Sequence, residues 1–157
     1  MHVYQLRVSI MGIPKLYRII EASEGCTLDD LHQAIFEAFE RFDAHLYSFF
    51  ITGEDAKSIG KIVQSPEVTH PQAMESIAGS GREQRSSYKT RLGDLRLQEK
   101  QVFHYLFDFG DEWWHRIRVQ KVYEAPSGKK YVRVVKAVGE SPPQYPDFDD
   151  EEWEEGF

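Results

Sequence analysis

The sequence predicts a single α+β domain: an antiparallel-dominated mixed sheet of about five or six strands, with one main helix packed on one face. Three observations carry this. Tyr4, Leu6, Val8 and Ile10 alternate with Gln5, Arg7 and Ser9, the period of two that a half-buried strand requires. Leu28, Leu31, Ile35, Ala38, Phe39 and Phe42 recur at helical spacing. Further β-rich runs follow, in the order of an α+β chain. A doubly wound parallel sheet would need strands nearly continuous in Val, Ile and Leu.

Taken in order, residues 4–10 form the first strand, "MGIPK" supplies a turn, and residues 16–22 return antiparallel to it. Thr27 is the expected N-cap of the helix, with Asp30 three residues on completing a capping box, and the apolar stripe predicts a helix over 28–41. "HLYSFFI", residues 45–51, is a third strand. Residues 53–90 lose periodicity and gather Gly, Ser, Pro and Gln, which predicts a long, partly flexible loop. Leu92, Leu95 and Leu97 mark a short helical element or turn. Residues 102–107 and 114–123 are two strong strands around a turn containing Gly110, and residues 131–137 complete a meander. No internal repeat is present.

With 157 residues the chain suits one domain, over residues 1–146, able to bury about two-thirds of its unfolded surface. Residues 147–157 form an acidic C-terminal tail. The lone Cys26 rules out an intrachain disulfide and a thiolate zinc site. The N-terminal "MHVYQLRVSI" has neither a basic lead nor a long apolar core, and no apolar run approaches the roughly 20 residues of a membrane helix. A cytoplasmic protein with no membrane partner is expected. The net charge of −7 is unevenly placed: eight acids and no Lys or Arg follow Ala137, so the rest of the chain carries +1. That balance argues against strong non-specific DNA binding by the whole chain.

Within "FDFGDEWWHR", residues 107–116, the tripeptide Asp108-Phe109-Gly110 matches the metal-binding tripeptide of protein kinases. A kinase also needs a Gly-rich phosphate loop, a strand lysine facing a helix glutamate, and a catalytic-loop Asp and Asn, none of which is present. The simpler reading is a hairpin turn in which Gly110 takes a positive φ and Asp108 and Asp111 cap turn amides. No nucleotide-binding motif occurs elsewhere, and no cofactor is implied.

Three segments resemble one family. "VFHYLFDFGDEWWHRIRVQKV" looks like the "Y-x-Y-D-F-G-D-x-W-x-H" hairpin of the Ri-plasmid ORF-three-like family, also labelled insertion-element passenger TnpR-like. "FERFDAHLYSFFI" is similar to its "W-D-D-x-H-L-H-x-F" segment, and "YQLRVSIMGIPKLYRIIEA" to its opening "Y-x-L-K-I-x-L-x-x-x-x-P-x-I-W-R-R-I" hairpin. The order and spacing agree, over roughly residues 3–143. The resemblance implies an α+β fold and a plasmid or mobile-element context, with no established reaction. The family's "C-P-P-E-D-C-G-G" ending is here reduced to Pro142-Pro143 without cysteine, which excludes thiol chemistry, and Tyr17 stands where many members have Trp. The nucleophilic Ser among arginines and the helix-turn-helix of a serine recombinase are not recognisable.

Polar groups concentrate beside aromatic ones at two places: Asp43 and His45 after the helix, and Asp108, Asp111 and His115 around the hairpin turn. Converging carboxylates and imidazoles suit a hard or borderline metal. The simpler reading has the two aspartates on turn amides and the histidines hydrogen-bonded within the sheet. Trp113 and Trp114 must point to opposite faces, one into the core and one near the surface, where an exposed Trp anchors a partner. Cys26, just before the helix, is a candidate for a lowered pKa from the helix dipole, though a lone Cys is more often inert. Two functions follow. The leading one is a non-enzymatic binding or accessory module for an unknown protein or small ligand, using Asp43, His45, Asp108, Asp111, Trp113, Trp114 and His115, with no metal. The alternative is a metal-dependent hydrolase using Asp43, His45, Asp108, Asp111 and His115. "REQRSSYKTR", with Arg82, Arg85, Lys89 and Arg91 against Glu83, is the most basic stretch and the place where nucleic acid would bind. The acidic tail is expected to be mobile, at most loosely held over it, and dispensable for stability.

Overall fold

The computed structural model describes residues 1–74 and 83–145; Arg82 and the acidic tail lie outside the described residues. The sheet runs through eight strands in the order β5-β4-β3-β6-β7-β1-β2-β8. These are β1 (His2–Ile10), β2 (Ile13–Ser23), β3 (Tyr47–Phe50), β4 (Glu67–Thr69), β5 (Gln84–Ser86), β6 (Val102–Phe107), β7 (Trp113–Glu124) and β8 (Val132–Val138). Neighbours are antiparallel except the parallel pair β4 and β5. The class is therefore α+β as expected, with a sheet larger than five or six strands. The extra pair comes from residues 53–90: β4 and β5 have three residues each, too few to show an alternation. The last strand also differs from the expected meander. β8 pairs with β2 and not with β7, because β1 already occupies the free edge of β7.

Helix α1 spans Leu28–Ala38. Its start matches the sequence reading: Thr27 Oγ1 accepts from the Asp30 amide at 3.0 Å and the Asp30 carboxylate accepts from the Thr27 amide at 2.9 Å. Its end comes three residues before residue 41. The amides of Glu40 and Arg41 donate to the carbonyls of Glu37 and Phe36, with Glu40 left-handed at φ 56°. This is a Schellman closure, and with Glu in place of Gly it carries no sequence signal.

Leu28, Leu31, Ile35 and Phe39 pack on the sheet against Leu6, Val8, Phe103, Tyr105 and Phe107. The opposite face is also covered. Phe50, Leu106 and Trp114 pack there with Ala56 and Ile62; Ile62 lies in the short helix α2 (Ile59–Ile62). A second short helix, α3, spans Pro71–Met74. The segment after β3 thus serves as the lid of a second apolar layer. Burial on both faces explains why β3 and β6 are buried at every position and read as apolar runs. No helix among the described residues is long and apolar enough to cross a membrane.

Candidate functional site

Of the predicted residues, Asp43, His45 and Asp108 meet at a corner of the sheet, where the connection from α1 to β3 approaches the turn between β6 and β7. Asp108 ends β6. Its backbone is left-handed at φ 66°, a conformation that Asp tolerates better than most residues, and its amide donates to the Leu46 carbonyl at 3.0 Å. Its buried carboxylate accepts from the amides of Gly110 (3.0 Å) and Asp111 (3.3 Å) through Oδ1. The Glu112 amide closes the turn on the Asp108 carbonyl at 2.7 Å. The positive φ values therefore fall on Asp108 and Glu112, and not on Gly110. Asp108 caps the turn; to the cap Asp111 contributes only its amide.

The free oxygen of Asp108 faces His45. His45 Nε2 lies 3.6 Å from Asp108 Oδ2, 3.5 Å from Asp43 Oδ2 and 2.8 Å from the Tyr145 hydroxyl. The Tyr145 O–H donates to Asp43 Oδ2 at 2.7 Å, so it accepts from His45, which fixes the Nε2–H tautomer. Residues 141–145 cross this connection as a strap. Ser141 Oγ donates to the Phe39 carbonyl at 2.8 Å. The buried Gln144 accepts from the Phe42 and Asp43 amides at 3.0 and 3.1 Å and donates to the Asp43 carbonyl at 2.8 Å.

The corner is acidic and rimmed with aromatic surface. The Tyr145 phenol is pushed up to about 12, first by its hydrogen bond to Asp43, then by burial and by the charges of Asp43, Asp108 and Asp111. Phe42 is 72% exposed with its ring edge-on to Tyr145 at 5.8 Å; Phe109 is 42% exposed and Tyr145 itself 41%. Sequence reasoning missed Phe42, Gln144 and Tyr145. Phe42 was legible only as the end of the helix stripe, and the two strap residues act on partners about a hundred positions away.

The remaining predicted residues lie elsewhere. Trp113 and Trp114 do point to opposite faces, but neither stands free as an anchor. Trp114 is buried beside Phe50, rings 5.7 Å apart, and Trp113 is half-buried under the Arg41 guanidinium, 4.2 Å above its ring. His115 is in the core, its Nδ1–H on the Trp113 carbonyl at 2.9 Å, and burial followed by the charge of Arg41 pushes its pKa down to about 3. Cys26 follows the inert reading and not the lowered pKa: it is buried, its thiol donates to the Tyr131 carbonyl at 3.1 Å, and burial raises its pKa. Desolvation outweighs the helix end there. Of the basic stretch, Arg85 pairs with Glu83 at 3.0 Å while Lys89 and Arg91 are exposed. Among the described residues, no group of three or more His, Cys, Asp or Glu side chains could hold a metal ion. A groove of about 510 Å³ between α1 and β8, lined in part by Arg18, Asp30, Ala34 and Val132, includes none of the predicted residues.

The fold and the corner define a class: single-sheet α+β proteins whose helix-to-strand connection docks on an Asp-capped aromatic hairpin. The family model described as plasmid pRiA4b ORF-3-like protein matches residues 2–147, and the chain belongs to that family. The TnpR-like label finds no support. Among solved structures the chain is similar to a protein of unknown function, MM3350, from Methanosarcina mazei Go1. The two share 25% identity with a TM-score of 0.69, over 98% of this chain and 80% of that one. No curated protein matches the chain.

Proposed function

We propose that the protein is a non-enzymatic binding module, accessory to a plasmid or other mobile element. At the corner it recognises a cationic side chain flanked by apolar surface, such as a Lys or Arg of a partner protein. The supporting observation is the pair of carboxylates Asp43 and Asp108, 3.5 and 3.6 Å from His45 Nε2, beside the exposed Tyr145 phenol, with Phe42 and Phe109 exposed on the same two loops. A guanidinium or ammonium there gains both carboxylate attraction and aromatic ring faces. Metal-dependent hydrolysis by Asp43, His45, Asp108, Asp111 and His115 has less support. Asp108 commits one oxygen to turn amides, His45 donates to Tyr145, and His115 sits in the core.

The test is a fluorescence-anisotropy titration with a short labelled peptide carrying Arg and an aromatic residue. The reading predicts binding that weakens about tenfold or more in the Asp43→Asn, Asp111→Asn double variant and falls with added salt, because exposed charges are screened beyond roughly 10 Å at 0.1 M. Binding indifferent to both substitutions would contradict it. Selective capture of an oligonucleotide, lost in a Lys89→Ala, Arg91→Ala variant, would move the function to the basic stretch.

A further inference from the structure

We propose that Arg41, Trp113 and His115 form a buried site for a protonated oxyanion of the hydrogen-phosphate class. This goes beyond the peptide-binding reading and rests on different residues. Arg41 is only 7% exposed, yet its Nη1 and Nη2 have no hydrogen-bond partner among the described residues. The indole Nε1 of Trp113 and the Nε2 of His115, which is 1% exposed, are likewise buried without a partner. Native proteins rarely leave one such group unsatisfied, and a buried guanidinium least of all. Here the orphans are neighbours. Arg41 lies 4.2 Å over the Trp113 ring, Trp113 and His115 share one face of β7, and the positive charge of Arg41 is felt at His115.

The same chain shows what a structural buried arginine looks like. Arg18, equally buried, donates to the carbonyls of Ala38, Tyr17 and Val138 at 3.0–3.1 Å. Arg41 has no such carbonyls, and no described carboxylate pairs with it. The fourth orphan side chain, His104, sits on the opposite face of the sheet, 3.9 Å from Asp55, and plays no part.

The chemistry of the four atoms selects the ligand. The guanidinium offers two parallel N–H groups, the geometry that grips an oxyanion, and the indole adds a third donor. His115 adds an acceptor. Its Nδ1 carries the proton given to the Trp113 carbonyl, so neutral His115 presents a lone pair at Nε2. Three donors and one acceptor match a phosphate that keeps one P–OH. Sulfate, which has no O–H at neutral pH, would face the His115 lone pair with a bare oxygen. Arg41 belongs to the connection that Ser141 and Gln144 hold down.

The experiment records the melting temperature and the phosphorus-31 linewidth of inorganic phosphate with the full chain, against sulfate and acetate at equal ionic strength. The expected result is a saturable, phosphate-specific rise in melting temperature together with line broadening. Both effects vanish in Arg41→Met, which keeps an apolar stem on the Trp113 ring. Trp113→Phe, which keeps a ring and removes only the N–H donor, weakens phosphate about tenfold, the effect of one hydrogen bond to a charged group. If Arg41→Met fails to fold, Trp113→Phe decides alone: unchanged affinity overturns the site. No phosphate-specific response in the wild type, or the same response in Arg41→Met, also overturns it. A response to sulfate equal to that to phosphate overturns the assignment to a protonated oxyanion.

Discussion

Gln144 holds the backbone of Asp43 from both sides, accepting from its amide at 3.1 Å and donating to its carbonyl at 2.8 Å. With the Phe42 amide added, one buried side chain satisfies three groups of a connection that has no regular structure of its own. Gln144→Ala is therefore expected to destabilise the fold by about 1–3 kcal/mol, since it orphans two amides and a carbonyl. Urea denaturation measures this, and a change below about 0.5 kcal/mol would show that water replaces the glutamine without loss.

Asp108 performs two tasks that substitution separates. Asp108→Ala removes both turn caps and places a β-carbon residue at φ 66°, for an expected loss of about 2–3 kcal/mol. Asp108→Asn keeps an acceptor oxygen and a side chain tolerant of that backbone, so its loss should stay within about 1 kcal/mol. Equal losses in the two variants would mean that the charge facing His45, and not the cap, holds the corner.

The helix end offers a gain. Glu40 is exposed, left-handed at φ 56°, and occupies the position where Gly is favoured. Glu40→Gly should stabilise the protein by about 0.5–1 kcal/mol, relief of backbone strain outweighing the extra entropy of the unfolded chain. A lower midpoint in the same denaturation assay would contradict this.

Acid should unfold the protein through its buried imidazoles. His32 lies flat on Tyr47, centroids 3.7 Å apart, and its Nδ1 shares a hydrogen bond with the Tyr105 hydroxyl at 2.6 Å. Burial, then the charge of His70, pushes its pKa down to about 3, as burial does for His115. Both lie below the unfolded value near 6.5, so below that pH the unfolded chain binds protons that the folded chain refuses. The stability is full above about pH 6.5 and is lost as pH falls toward 3, at up to about 1.4 kcal/mol per pH unit for each histidine. Denaturation at pH 7.5 and 5.0 measures the slope, which His115→Gln should reduce by one proton. Stability flat across this range would refute the buried-neutral assignment.

The parts of the fold that were legible rest on local chemistry. Thr27 and Asp30 sit three residues apart and cap each other, and β1 shows its alternation within nine residues. The parts that were hidden depend on distant partners. Three-residue β4 and β5 exist because neighbouring strands complete their hydrogen bonds, and β8 finds β2 across more than a hundred residues. At the corner, Asp43, His45 and Asp108 were readable as polar groups beside aromatic ones. Tyr145 was not, because nothing near it in sequence shows that its hydroxyl will reach Asp43. His115 misled for the same reason: residue type alone does not tell a surface imidazole from one sealed in a core.

The most direct test of the binding reading is an amide NMR titration of the full chain with an arginine-bearing peptide. Binding at the corner gives shifts that saturate and cluster at residues 42–45, 108–112 and 145, with little change in β4, β5 or β8. Shifts centred on residues 83–91, or none at saturating peptide, would contradict it.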